Sequence, residues 1–425
     1  MKSTLQLISL FILFALCPSC MSSGKHQLLS IQLIDRHGLR ESIHSRDRLN
    51  LYERVDFHAP QPYQKIVRIY QRDQTGKTRS HITSYHDNGQ IWQYLEVLSG
   101  RASGIYREWY PNGQLRLDVK VIEGMGDINE QAMLTWVFDE TSRVFYEKGG
   151  IKGEFAYDKG VLEGIARYYH ANGQLSQTTF YQKGVIHGDV ILFDEQGDVV
   201  GQTHYIKGLR QGVSTFKGDG KNPPYSEEYR DDKLIEGTYY DLEGNIIVQI
   251  KEGKGKKALF NEGTLSEMQE YQQGVIEGVI QYFDQHGNIS SEFQIQEGIK
   301  EGEERIYYSK SKTGNLQCKI AIPWHDHQIH GIVRSWYPNG ALESEREMSR
   351  NHKQGLATAW YLDGSLMLVE EYDQDRLIKG TYMKRGESKP LSSIEKGEGV
   401  ATLFDKEGQF IRRIVYEKGE PVDEL

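Results

Sequence analysis

Cysteine is almost missing from this chain, which has only Cys17, Cys20 and Cys318. Two lie near the N-terminus and one stands alone, so no disulfide framework is available. A cationic surplus is missing too. The 51 lysines and arginines face 60 aspartates and glutamates, a net charge of −9. That excludes the usual nucleic-acid binder, which neutralises phosphates with excess Lys and Arg. The densest basic stretch, ending at Lys257, reads as a solvated loop. Apolar residues are scarce, with a mean hydropathy of −0.61, so one large core is not expected. The chain has no GxSxG elbow and no HExxH pair. No helix is expected after its glycine pairs, where one would be needed to cradle phosphate.

Glycine, by contrast, recurs at a fixed step. Gly160, Gly184 and Gly208 are 24 residues apart, and Gly274 and Gly298 repeat that interval. Each is followed four residues later by another glycine: Gly164, Gly188, Gly212, Gly278 and Gly302, with Gly100 and Gly104 as a sixth pair. A second landmark is an aromatic residue before a tight turn, as in YHDNG from Tyr85, YPNG from Tyr110, YHANG from Tyr169 and FDEQG from Phe193. FDQHG from Phe283 and YPNG from Tyr337 continue it. The turn glycines are Gly89, Gly113, Gly173, Gly197, Gly287 and Gly340. Asn-Gly suits hairpin turns in which both central residues take positive φ. The Gly-x-x-x-Gly segment reads as the second turn of the unit. The runs between, such as DVILF, are aromatic and β-branched, as strands are.

Two strands of about six residues and two turns fill the period. The fold class is therefore all-β: an elongated repeat array of β-hairpins forming a twisted antiparallel meander. At about 10 Å per hairpin, a dozen copies would make a ribbon on the order of 100 Å. Adjacent large residues at strand ends, such as Trp109–Tyr110, Trp336–Tyr337 and Trp360–Tyr361, put an aromatic row on each face, where it packs repeat on repeat.

The consensus Y-x-N-G-x-L followed by Y-x-x-G-x-x-x-G resembles the MORN-variant repeat over residues 81–425. Bacterial proteins of this class often carry the label of YwqK-family antitoxins. The resemblance implies a repeat surface and no particular activity. Copies are degenerate at 114–157, 213–236, 309–336 and 365–398, where the stack should bend or loop. Residues 20–80 read as a tether and capping hairpins: SIQLIDRHGLRESI as one, and Lys65–Tyr85 as another with its turn at Asp73–Gly76. Asp47–Phe57 reads as a short helix or loop. Such a cap covers an otherwise unpaired strand edge.

The N-terminus reads as an address. Lys2, the apolar run Leu5–Leu16 and the small residues before Cys20 describe an export signal over residues 1–19. The run is too short for a comfortable membrane span. Ser19–Cys20 resembles a bacterial lipobox, with Cys20 the acylated residue and Cys17 second choice. Several acyl chains exceed the marginal grip of one. Lipoproteins kept at the inner membrane carry Asp after this cysteine; here it is Met21, which favours the outer membrane.

Four further motifs carry competing readings. Arg36-His37-Gly38 resembles the histidine-phosphatase motif, but IQYFDQHGNI inside the repeats has the same pattern, so a turn explains both. His325, His327 and His330 have spacing that could ligate a transition metal if the loop folded back, against a plain polar loop. Asn288-Ile289-Ser290 and the C-terminal VDEL are cheap matches. The expected function is non-catalytic: a lipid-anchored envelope protein acting as scaffold or spacer for a protein partner, without cofactor or small-molecule substrate. The alternatives are an antitoxin-like inhibitor, or a glycan-binding module using Trp109, Trp336 and Trp360.

Overall fold

The computed structural model describes residues 27–309 and 316–424. The expected export signal, Cys17, Cys20 and the start of the expected tether lie outside the described residues. The chain divides into two compact units, residues 1–173 and 174–425. Each is an antiparallel sheet in which chain neighbours pair. Among the described residues no helix is long and apolar enough to cross a membrane.

The first unit holds β1 (Gln27–Asp35), β2 (Arg40–Ile43), α1 (Arg46–Tyr52), β3 (Gln64–Arg72), β4 (Thr78–Tyr85), β5 (Ile91–Leu98), β6 (Arg101–Trp109) and β7 (Leu115–Glu123). It continues with the one-turn helix α2 (Glu130–Met133), β8 (Val137–Phe145), β9 (Ile151–Asp158), β10 (Val161–Leu162) and β11 (Gly164–Tyr169). From β3 onward the strands pair in chain order. β1 lies between β2 and β3, so the four-residue β2 stands at the edge. A short edge strand offers little to another chain.

Both faces of this sheet are covered. On one, α1 and the loop after it bring Leu49 and Phe57 onto Ile31, Leu33, Val67, Tyr85 and Tyr94. On the other, residues 124–136 between β7 and β8 fold over Ile82, Leu95, Tyr106, Val119 and Val121. This insertion is why 114–157 looked degenerate. Met125 bridges to Arg101, Trp136 donates to the Met125 carbonyl at 2.9 Å, and its ring meets Tyr106 edge-on at 4.6 Å.

Two kinds of turn alternate, and the assignment made from sequence is reversed. At the turns that follow the aromatic landmarks only the glycine has positive φ. Gly89, Gly113, Gly173, Gly197, Gly287 and Gly340 lie between φ +76° and +90°, and each donates its N–H to the carbonyl three residues back, as from Gly89 to His86 at 2.8 Å. That is a type I turn closed by a left-handed glycine. The turns with two positive φ values sit at the other ends of the strands, at pairs such as Lys183–Gly184 and Lys207–Gly208. Those are two-residue type I′ turns. The second glycine of Gly-x-x-x-Gly is not in a turn; Gly188 and Gly278 lie within the following strands, Val185–Phe193 and Val275–Phe283.

There the sheet bulges. Between the pairs Leu95↔Tyr106 and Val97↔Ala102, Glu96 alone opposes residues 103–105. In the second unit Glu270 and Glu347 stand at matching bulges. A bulge of this kind tightens the local twist.

Two of the degenerate copies resemble each other. Glu227-Glu228-Tyr229, Leu234-Ile235 and Gly237-Thr238-Tyr239 recur as Glu370-Glu371-Tyr372, Leu377-Ile378 and Gly380-Thr381-Tyr382. The backbone recurs with them: Leu234 N–H to the Gly274 carbonyl, Gly274 N–H to Gly253, and Gly253 N–H to Ile235 are matched by Leu377 to Gly419, Gly419 to Gly397 and Gly397 to Ile378. At both places the sheet curls, and a strand (Lys233–Tyr240 or Arg376–Met383) touches the next strand but one. The curl encloses a small core: Tyr229, Leu234, Tyr239 and Ile250 in one copy, Tyr372, Leu377, Tyr382 and Ile394 in the other.

Candidate functional site

A cleft of about 750 Å³ opens in the first unit, where the 124–136 insertion meets the sheet. Its floor comes from strand residues on the face that the insertion covers: Ile66 and Arg68 on β3, Ser84 on β4, Gln93 on β5 and Glu108 on β6. Cross-strand pairing fixes this set, since Ile66 opposes Ser84, Ser84 opposes Gln93 and Gln93 opposes Glu108. One wall is Asp127–Glu130 with Met133; the other is the turn at Tyr85–Asp87 with Trp92.

The floor is a hydrogen-bonded relay. Ser84 donates to Gln93 Oε1 at 2.9 Å, Gln93 Nε2 to the Tyr106 hydroxyl at 2.9 Å, and Tyr106 to Glu108 at 2.5 Å. Burial, and then the bond to Glu108, push the Tyr106 hydroxyl far above its ordinary range, so it acts as a proton donor rather than an anion. The insertion is tied across the cleft by Arg68 to Asp127 at 2.9 Å. Asn129 caps the one-turn helix through the Ala132 N–H at 2.9 Å.

Trp92 is 40% exposed. Its ring rests 5.5 Å from His86, whose Nε2 is bonded to the Trp109 carbonyl at 2.8 Å. The tryptophans that the glycan-binding alternative would use are not exposed. Trp109 is half-buried against the first core, and Trp336 and Trp360 are half-buried as well. Their carbonyls accept the hydroxyls of Tyr308 at 2.8 Å and Tyr337 at 2.7 Å. The strand-end aromatics thus link hairpin to hairpin through backbone bonds, which is their structural work. Trp92 was missed because no repeat pattern marks it.

The three histidines do not converge. His325 Nδ1 is bonded to Glu301 at 2.8 Å, while His327 Nδ1 accepts the Lys300 N–H at 3.2 Å. The His325 and His330 rings are 6.4 Å apart. Among the described residues no three His, Cys, Asp or Glu side chains gather as a metal site would require. His330 also has a repeat partner: Ile329-His330-Gly331 matches Ile186-His187-Gly188.

Arg36-His37-Gly38 is a turn. Asp35 Oδ1 accepts the N–H groups of His37 and Leu39 at 2.9 and 2.8 Å, as Asp284 does for His286 and Asn288, both at 2.9 Å. Arg36 is spent on the neighbouring turn, reaching the His86 carbonyl at 2.6 Å and the Asp87 carboxylate at 3.3 Å. The basic stretch ending at Lys257 is likewise no solvated loop. It lies in strand Lys254–Asn261, and Lys257 makes a buried ion pair with Glu227 at 2.6 Å.

The architecture is a series of β-hairpin repeats. Residues 102–119, 162–183 and 329–349 match the MORN repeat variant, so the chain carries that repeat at three places. The first of these takes in the bulge glycine Gly104 and the type I turn at Gly113. Compared with curated proteins, the chain matches none. Solved structures similar to it include TcdB2–TccC3 without its hypervariable C-terminal region, at 10% identity over 87% of this chain and 25% of that one, with a TM-score of 0.17. Another is the Photorhabdus luminescens Tc holotoxin pore, at 9% identity over 85% and 26%, with a TM-score of 0.11. A eukaryotic initiation factor matches at 10% identity over 84% of this chain and 98% of that chain, with a TM-score of 0.20. The chain therefore spans about a quarter of the two toxin chains, and at these scores none of the three bears on function.

Proposed function

We propose that this is a non-catalytic, lipid-anchored protein of the bacterial cell envelope whose hairpin repeats bind or space a protein partner. The repeats themselves suit a binding or scaffold role. The observation that carries the reading is where the recurring residues are used. Turn glycines, bulge glycines, strand-end tyrosines and bulge glutamates are all committed to the protein's own backbone. What varies between copies is exposed, as with Ile206, where other copies have Gln182 or Gln272, and Val213, where they have Asp189 or Glu303. A scaffold with constant internal bonds and a variable outer surface is how repeat proteins bind partners.

The anchor rests on the sequence at Cys20, and outer-membrane residence on Met21 after it. Radiolabelled palmitate supplied to cells is expected to label the wild type and not Cys20→Ser, which should be released from the membrane fraction. Cross-linking of the intact envelope should then yield one dominant protein. An unlabelled wild type retained in the cytoplasm would overturn the anchored reading. A toxic protein as the captured partner would turn the scaffold into an antitoxin-like inhibitor.

A further inference from the structure

We infer that the cleft between the 124–136 insertion and β3–β6 binds an uncharged oligosaccharide, with Trp92 as the stacking platform.

Charge selects the ligand class first. The lining carries two cations, Lys65 and Arg68, and four carboxylates, Asp87, Glu108, Asp127 and Glu130. Three of the carboxylates are already neutralised: Asp127 by Arg68 at 2.9 Å, Asp87 by Arg36 at 3.3 Å and Glu108 by Arg116 at 3.2 Å. Lys65 and Glu130 remain, both exposed, so the lining has no excess of either sign. A phosphate, a uronate or a basic peptide would meet a single exposed opposite charge and no cluster of them, and burying a poorly compensated charge is costly.

Size and surface select next. A volume of about 750 Å³ falls in the range of small-ligand sites, which combine apolar lining with a few placed polar groups. Trp92, Ile66, Ile128 and Met133 supply the apolar part. Gln93 and Ser84 on the floor are buried polar side chains, and Arg68 and Glu108 add a donor and an acceptor. A pyranose has that duality: an apolar C–H face that lies flat on an indole, and hydroxyls around its rim that both donate and accept. The indole needs to be exposed, flat and held. Of the chain's six tryptophans Trp92 alone is exposed, and the His86 ring lies against it.

The inference does not depend on the lipid anchor. Its test is calorimetric titration of the signal-free chain with neutral chito-, cello-, malto- and mannotetraose, and with a uronate oligomer and a basic peptide as counter-ligands. At least one neutral tetraose should bind. Trp92→Ala should weaken it about tenfold, the loss of one stacked ring, while Trp92→Phe retains most of the affinity and circular dichroism is unchanged in both. Three results would overturn it: no neutral tetraose bound at millimolar concentration, binding that survives Trp92→Ala, or preference for the uronate oligomer or the peptide.

Discussion

The Glu96 carboxylate accepts the backbone N–H of Ile105 at 3.0 Å, folding back over the bulge whose glycine is Gly104. The same bond joins Glu270 to Val279 at 2.9 Å and Glu347 to Leu356 at 3.1 Å. A bulge leaves an N–H unpaired, and the glutamate satisfies it. Gly104 makes room for this: its φ is +131°, and a Cβ there would lie 2.7 Å from that of Glu96.

Gly104→Ala is therefore expected to destabilise the protein by about 2–3 kcal/mol, from backbone strain plus the displaced glutamate. Adding Glu96→Ala should recover part of the loss, because the contact with the carboxylate goes while the Cβ contact and the backbone strain stay. Urea unfolding of the two single variants and the double variant measures both contributions.

The tyrosine ladder gives a second expectation. Tyr337 donates to the Trp360 carbonyl at 2.7 Å, and Tyr361 to the Met383 carbonyl at 2.8 Å. Replacing either with Phe keeps the packing and orphans one carbonyl, at about 1 kcal/mol or somewhat more where the site is dry. Repeat stability is a sum of local and nearest-neighbour contributions. Amide exchange should therefore quicken in the two hairpins joined by the lost bond and not elsewhere in that unit.

What the sequence made legible was whatever repeats. The period, the strands and the turn glycines could all be read from spacing. The sequence did not reveal which glycine does what, because Gly184 in a type I′ turn and Gly188 at a bulge satisfy the same need for positive φ. Nor could it show the cleft. Trp92, Gln93 and Glu108 come from one regular stretch, but their partners Asp127 and Ile128 come from an insertion that interrupts the repeat. Lys257 was misread for a related reason: its partner Glu227 lies 30 residues earlier, across a curl in the sheet that spacing does not announce.

That curl supplies a third prediction. Glu227 accepts the hydroxyls of Tyr229 at 2.8 Å and Tyr239 at 2.5 Å as well as Lys257, and the Glu227 and Lys257 side chains are only 4% and 14% exposed. Lys257→Met should cost about 3–5 kcal/mol, because it strands a buried carboxylate. The double variant Glu227→Gln, Lys257→Met should regain most of that stability. In the matching copy Glu370 is held by Tyr372 at 2.9 Å and Tyr382 at 2.8 Å, and no lysine is paired with it among the described ion pairs. Glu370→Gln should therefore be milder than Lys257→Met in the same unfolding assay.

The pair His325–Glu301 makes a prediction in pH. The bond to Glu301, then its charge, raises His325 above the ordinary 6.5. The Asp326 N–H, then His325, lowers Glu301 below the ordinary 4.5. A raised histidine contributes fully below its unfolded value and loses that contribution as pH rises through the folded one. A lowered carboxylate contributes above its unfolded value and loses that contribution as pH falls through the folded one. The pair thus stabilises most between about pH 4.5 and 6.5. Glu301→Gln should bring the NMR titration midpoint of His325 down towards 6.5 and narrow the stability difference from wild type on either side of that window.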